Sequence, residues 1–460
     1  MKKLITDKNN LHFVGIKGGG MTALALLLQG MGKNITGSDT GEKFYTDKIL
    51  QKYKIKYFEN FDPETLPKNL DLIIYSTAYN PKNNPLCIQA KNKGIPIISY
   101  PEALAELINT KNTIAIAGTH GKTTTTAWLA FLLKLADFDP SAIIGSNVPQ
   151  FGGSTLVGKS NWLVVETDEY QNKFQYYFPQ AIVLNNIDWD HPDFFISESD
   201  YVNVFKNYIE KIPNHGFLIA GTDNLNVRNL VKNFSGKLIT FGIKQKADWQ
   251  ARCIRIDNGT TSFDAYFKNK FWHKIKINLK GDFNILNSLA VLAAAVELKA
   301  DKNKIIQGLE SFLGTERRFE KKGEIGNSVI YDDFAHHPEE IRATLKMCKK
   351  YFPDKKIIVV FHPHTFTRTL QLKNEFVKSF IYADQVLLLD IYGSAREQQG
   401  GINSEELTQA INEFSHNAVY VKDINGAVNY LQTNLNENNL IITMGAGDVW
   451  RVGETLLHLN

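Results

Sequence analysis

Apolar runs of four or five residues, rich in Ile, Val and Leu, recur along the chain, and each breaks into Gly, Ser, Thr, Asn, Asp or His. Residues 11–14, 72–75, 113–116, 162–165, 181–184, 357–361, 386–389 and 440–443 are such runs. Longer segments with helical spacing lie between them, among them one ending near Leu28, then 127–133, 290–296 and 339–350. Short apolar strands alternating with helices predict parallel sheets covered by helices. The pattern reads as an α/β chain of three domains. Residues 1–110 form a Rossmann-like unit, 111–313 a P-loop-type parallel sheet, and 314–460 a second Rossmann-like unit.

In such folds ligands meet the carboxyl ends of the strands, and the central unit carries the clearest candidate. The strand at 113–116 runs into Gly118-Thr119-His120-Gly121-Lys122-Thr123-Thr124, and a helix follows. Glycines let backbone N–H groups curl around phosphate oxygens, and the helix N-terminus adds partial positive charge. Lys122 neutralises the terminal phosphates of a nucleoside triphosphate, and a hydroxyl of Thr123 or Thr124 holds Mg²⁺. The loop is shorter than the common G-x-x-x-x-G-K-[ST], since residue 116 is Ile.

Other strand ends add to this. Glu166-Thr167-Asp168-Glu169 and Asp188-Trp189-Asp190-His191 follow the strands at 162–165 and 181–184, and Glu166 with His191 can ligate or orient Mg²⁺. Asn284 and Asn287 share a helix face, where one reads an adenine edge or both cap the helix. In the first unit, Gly18-Gly19-Gly20-Met21 suits a diphosphate, and Ser38-Asp39 follows the next strand, where such folds read a ribose or base. Lys17 stands where a dinucleotide fingerprint has its second glycine, which argues against NAD. In the third unit Arg318, Asp333, His336, His364 and Arg368 gather at strand ends, as carboxylate and phosphate recognition requires.

Composition narrows the classes. The 460 residues carry 52 basic and 48 acidic side chains, net +4, so there is no broad footprint for nucleic acid. Cys87, Cys253 and Cys348 are isolated, which fits a reducing cytoplasm better than a disulfide framework. No run reaches membrane-spanning length, and the first eight residues lack the apolar stretch of a signal peptide. The expectation is a cytoplasmic enzyme, monomer or homodimer, with no membrane partner.

Several of these stretches together resemble the Mur ligases of peptidoglycan synthesis. They are Gly15–Met21, the Gly118–Thr125 loop, Asn284-x-x-Asn287, Arg317-Arg318-Phe319, the Asp332–Pro338 stretch with its paired His-His-Pro, Pro363–Arg368 and Gly445-Ala446-Gly447-Asp448. The Pro-His-x-x-Thr-Arg element is similar to that of the branch that adds L-alanine to UDP-N-acetylmuramate. A branch that re-uses a tripeptide shares the fold but typically lacks it. Lys17, Phe283 and Ala335 depart from a family glycine, histidine and glycine.

The resemblance implies domains closing around ATP, the UDP-muramyl carboxylate and an amine, with an acyl phosphate intermediate. It assigns Lys122 to the γ-phosphate, and Thr123 with Glu166 to one Mg²⁺. His191 goes to a second metal or the acyl phosphate, and Arg318 to the ATP phosphates. Asp333 and His336 line the nucleotide site, while His364 and Arg368 face the amino acid, Arg368 on its carboxylate. Some relatives use a carbamylated lysine, and Lys206 falls near that position. An NAD-dependent dehydrogenase leaves the Lys122 loop without a role. A regulatory ATPase leaves the first domain and the charged third one without a role.

Overall fold

The computed structural model describes residues 4–44, 46–257, 259–393, 400–435 and 438–458. Three sheets are built in chain order. The first holds β1 (Asn10–Val14), β2 (Asn34–Ser38), β3 (Lys56–Phe58), β4 (Leu72–Tyr75) and β5 (Ile97–Ser99), in the order β3-β2-β1-β4-β5. All its pairings are parallel. Helix α1 (Gly19–Gly30) follows β1 and buries residues 21–28 against the sheet.

The central sheet comprises β6 (Asn112–Ala117), β7 (Ser141–Val148), β8 (Gly153–Leu156), β9 (Trp162–Glu166), β10 (Ala181–Leu184), β11 (Phe217–Gly221), β12 (Lys237–Gly242), β13 (Trp249–Asp257), β14 (Thr260–Phe267) and β15 (Lys270–Ile277). Their order is β15-β14-β13-β12-β11-β10-β6-β9-β7-β8. Its middle is parallel as expected, but both ends are antiparallel: β7 with β8, and the run β13, β14, β15. That run alternates, with Thr261, Phe263 and Ala265 turned inward and their neighbours outward. One face is therefore left to water, as antiparallel sheets allow. Helices α2 (Lys122–Leu135) and α3 (Asp282–Glu297) pack on one face of this sheet, and the helix Glu198–Ile209 packs on the other. The apolar run at 289–295 is buried within α3.

The third sheet holds β16 (Glu320–Ile325), β17 (Ser328–Asp333), β18 (Lys356–Phe361), β19 (Gln385–Leu389), β20 (Ala418–Lys422) and β21 (Asn439–Met444), in the order β16-β17-β21-β18-β19-β20. Only β16 is antiparallel to its neighbour. Helix α4 (Pro338–Tyr351) leaves β17, and its N-terminus meets the central domain. Among the described residues no helix is long and apolar enough to cross a membrane.

Candidate active site

Register builds the site. Strand β6 lies between β9 and β10, with Ile116 opposite Glu166 and Ala117 opposite Leu184. The loop leaving β6 is thus flanked by both acidic strand ends. Gly121 caps α2 at φ +77°, and a Cβ there would sit 2.6 Å from Asn287 Oδ1, so only glycine fits. His120 is clamped through its backbone. Its N–H donates to Asn186 Oδ1 at 2.7 Å, and its carbonyl accepts from the Asn185 and Asn186 amides at 3.3 and 3.1 Å.

Lys122 Nζ donates to the carbonyls of Gly118 and Thr119 at 2.6 and 2.9 Å. Burial alone would lower its pKa, but Glu169, Glu166, Asp168 and Asp190 outweigh burial and raise it, so the ammonium stays charged. The Thr123 hydroxyl donates to Glu166 Oε2 at 2.9 Å, and that oxygen also accepts the Gly145 N–H at 3.0 Å. Arg318 arrives from the third domain with Nη2 3.4 Å from Thr123 Oγ1.

A hydroxyl and a carboxylate in contact are hard oxygen donors of the kind Mg²⁺ takes together with water and phosphate oxygens. The donor set fits that ion. Among the described residues no three His, Cys, Asp or Glu side chains are grouped to hold a metal by themselves. His191, at φ +54°, lies against the Tyr170 ring with Nε2 3.8 Å from Glu169 Oε1 and from Asp190 Oδ2.

Glu169 is a site residue that the sequence reading did not single out. It is 1% exposed, its Oε1 accepts the Tyr201 hydroxyl at 2.8 Å, and its Oε2 is buried without a partner. The signal was a run of three carboxylates at one strand end; which of them turns inward depends on the turn after β9. Lys206 is exposed on the helix Glu198–Ile209, away from the burial that carbamylation requires.

The third domain supplies a second row of groups. His337 caps α4: its Nδ1 accepts the Glu339 N–H at 3.3 Å, and its Nε2 donates to the Trp189 carbonyl at 3.2 Å. Burial lowers its pKa, consistent with that neutral ring. Glu340 Oε2 accepts the backbone N–H groups of His336 and His337 at 3.1 and 3.4 Å, while Oε1 lies 3.0 Å from His120 Nδ1. Burial pushes the His336 imidazole down to about 3, and its Nδ1 donates to the Phe334 carbonyl at 3.0 Å. Burial pushes the Asp333 carboxyl up to about 6, and the Thr344 hydroxyl donates to it at 2.7 Å. Arg317 is held elsewhere, on Asp332 at 3.0 Å and the Gly445 carbonyl at 2.8 Å.

Arg368 is 5% exposed, and Nε and Nη2 both donate to Asp190 Oδ1, at 3.1 and 3.0 Å. One edge of the guanidinium is therefore already engaged. Nη1 lies 3.3 Å from His364 Nδ1, and the His364 ring stacks on Tyr392.

A cavity of about 280 Å³ lies beside the loop between the central and third domains. His120, Gly121, Phe283, Asn284, Arg318 and Asp333 line it. Asn284 and Asn287 do share a face, but neither caps α3. Asn284 donates to the Lys280 carbonyl at 2.8 Å and accepts from Asn287 at 3.1 Å, and Asn287 accepts the Thr125 hydroxyl at 3.2 Å. Phe283 presents a ring to this cavity in place of the family's histidine. Ala335 has no positive φ, so its methyl group brings no backbone strain.

In the first domain, Gly18 is the N-cap of α1, and Gly19, Gly20 and Met21 form its first turn with no side-chain cap. Ser38 and Asp39, read from the sequence as ligand contacts, turn inward instead. The Ser38 hydroxyl meets His12 Nε2 at 3.1 Å. Asp39 accepts the Lys17 and Thr40 N–H groups at 2.7 and 2.8 Å and the Tyr79 hydroxyl at 2.8 Å. Both sit where β2 passes under the β1–α1 loop, so they brace that loop. The Lys17 ammonium is enclosed by the carbonyls of Thr40 and Glu42 with Glu59 at 2.9 Å and Asp47 at 3.3 Å.

Comparison with known proteins agrees with this geometry. Residues 10–112 match the Mur ligase family catalytic domain, 116–295 the Mur ligase middle domain, and 317–447 the Mur ligase glutamate ligase domain. The UDP-N-acetylmuramate–L-alanine ligase of Desulfitobacterium hafniense is 37% identical over 97% of this chain and 99% of its own. That of Clostridium botulinum strain Okra is 39% identical over 99% of both. The crystal structure of UDP-N-acetylmuramate-alanine ligase from Thermotoga maritima has 25% identity, covers 98% of both chains and gives a TM-score of 0.83. A murein peptide ligase from Psychrobacter arcticus, 24% identical over 98% of both chains at a TM-score of 0.72, shares the fold. With three family domains in order over nearly its whole length, the chain belongs to the Mur ligase family of ATP-dependent ligases.

Proposed function

We propose that this protein joins L-alanine to the carboxylate of UDP-N-acetylmuramate, with ATP converted to ADP and phosphate. One observation carries the reading: third-domain side chains Arg318, Glu340 and Arg368 meet central-domain Thr123, His120 and Asp190 around one phosphate loop. A site shared in this way suits a reaction that brings a phosphoryl donor, an acid and an amine together. The full-length relatives named for this reaction support the choice of substrates.

The muramyl carboxylate attacks the γ-phosphorus, ADP leaves, and an acyl phosphate forms. The deprotonated amine of alanine then adds to the activated carbonyl, and the tetrahedral intermediate expels phosphate. Lys122 and Arg318 hold charge on the transferred phosphoryl group, and the amides of Gly118–Thr124 cradle the chain of phosphates. Thr123 and Glu166, with His191 near the acyl group, are the side chains that would hold Mg²⁺. When bound, the ion neutralises phosphate charge. Asn284 and Phe283 face the base. The α1 N-terminus at Gly18–Met21 receives the sugar nucleotide's diphosphate. The Nη1 edge of Arg368, held by the ring and carbonyl of His364 at 3.3 and 3.4 Å, is turned away from Asp190 and takes the alanine carboxylate. The setting that fits is the cytoplasm, where ATP and nucleotide sugars are found.

Phosphate release by the purified protein tests this. It should require ATP, UDP-N-acetylmuramate and L-alanine together. Consumption of L-alanyl-γ-D-glutamyl-diaminopimelate instead of alanine would make the protein a tripeptide ligase and remove the role given to Arg368.

A further inference from the structure

Glu340 touches both halves of the site. Its Oε2 is fixed by two backbone N–H groups at the start of α4, as in a capping box, and its Oε1 crosses to His120 Nδ1 at 3.0 Å. His120 is rigid in its backbone because Asn185 and Asn186 clamp it. Only its ring can respond to the third domain. With Nδ1–H given to Glu340, the other ring nitrogen, Nε2, is buried without a hydrogen-bond partner, 3.5 Å from Asp188 Oδ2, in a residue that lines the cavity beside the loop.

We propose that Glu340 is a positioning residue that holds His120 as a charged donor toward the ATP phosphates, so that seating the third domain adds positive charge to the phosphate loop. The inference rests on the ligase reading only in taking ATP as the occupant of that cavity. The surrounding charges support it. From α4 and the loop before it come Glu340, His336 and His337, the last ring 5.1 Å from His120. Asp188 comes from the loop after β10, Lys122 from the same loop, and Arg318 faces Glu340. Burial and Lys122 disfavour a charged His120, but Glu340 and Asp188 outweigh them and raise its pKa. Without the third domain in place Glu340 leaves and the ring is opened to water, so its pKa falls back toward that of an ordinary histidine, about 6.5. At neutral pH the ring is then mostly uncharged.

Glu340→Gln tests this without removing the cap, because a glutamine oxygen still accepts both backbone N–H groups. Couplings between sites commonly amount to about 5–150-fold, so kcat should fall within that range while the KM for UDP-N-acetylmuramate stays put. His120→Gln should give a similar loss, and the double variant no further loss. The His120 ring, followed by NMR titration of the full chain with a non-hydrolysable ATP analogue and UDP-N-acetylmuramate, should titrate at lower pH in Glu340→Gln. Wild-type kcat should decline at high pH as His120 loses its proton, and His120→Gln should lack that decline. Multiplying losses in the double variant, an unmoved His120 titration, or kcat within twofold of wild type in Glu340→Gln would each overturn the proposal. Failure of the wild type itself to release phosphate with the three substrates would instead overturn the ligase reading.

Discussion

The guanidinium of Arg368 grips the carboxylate of Asp190 across 178 positions of chain, through two N–H groups at 3.0 and 3.1 Å on one oxygen. Both side chains are nearly enclosed, at 6% and 9% exposure. Burial would raise the Asp190 pKa, but the Arg368 guanidinium beside it outweighs burial and holds the carboxyl well below its ordinary range. Removing one member of such a pair leaves a buried charge uncompensated, at a cost of about 3–5 kcal/mol. Asp190→Asn should therefore lower the melting temperature and also raise the KM for L-alanine, because Arg368 is no longer aimed. Thermal melts and amine saturation curves read the two effects. An unchanged alanine KM would mean that the pair only fastens the domains together.

Lys122→Ala should leave the fold intact, since the side chain bonds only to carbonyls of its own loop. The loss should fall on the transition state, where charge builds up on the phosphoryl group. Removing such stabilisation costs at least about a hundredfold in kcat. Circular dichroism and phosphate release measure the two sides. Activity within a few-fold of wild type would remove Lys122 from the mechanism.

Asp333 gives a pH prediction of definite sign. Its folded-state carboxyl is pushed up to about 6 by burial, against 3.8 for an ordinary aspartate. The folded protein therefore takes up this proton before the unfolded chain does. The stability linked to it is complete below about pH 4 and is lost as pH rises through about 6. Asp333→Asn should be more stable than wild type at pH 8, by up to about 3 kcal/mol, and the gap should close on acidification toward pH 4. Melting curves across that range read it. A gap that grows in acid would contradict the assigned environment.

What was legible in the sequence is local. The strand at 113–116, the glycines, Lys122 and the helix after them are adjacent in the chain, and their joint chemistry is readable from spacing. Thr123 and Glu166 were also readable, because parallel strands bring their carboxyl ends to one edge. The Asp190–Arg368 pair was not, since nothing in either sequence neighbourhood specifies a partner in another domain. Ser38 and Asp39 mislead for a related reason. Polar residues at a strand end can serve a ligand or brace the loop above, and only the placement of His12, Lys17 and Tyr79 decides between them. The antiparallel ends of the central sheet depend on the short connections that turn β7 into β8 and β13 into β14 and β15 rather than on composition.

Gly20 offers a test of the first domain that is independent of ATP. It lies in the first turn of α1, and a Cβ at this position would come within 2.9 Å of the Tyr100 hydroxyl oxygen and 3.1 Å of the ring carbon that bears it. Tyr100 opens the helix Tyr100–Thr110, and its ring and an added methyl group cannot both keep these positions. Gly20→Ala must shift that ring or tilt the first turn of α1, and overpacking of this kind costs about 1–3 kcal/mol. If Gly18–Met21 binds the diphosphate, the displaced amides should raise the KM for UDP-N-acetylmuramate several-fold and leave that for ATP unmoved. Adding Tyr100→Phe deletes the nearest colliding atom and should recover part of the loss. A sugar-nucleotide KM equal to wild type in Gly20→Ala would show that the diphosphate binds elsewhere. Equal rises in both KM values would show that the change disturbs the whole molecule rather than one helix terminus.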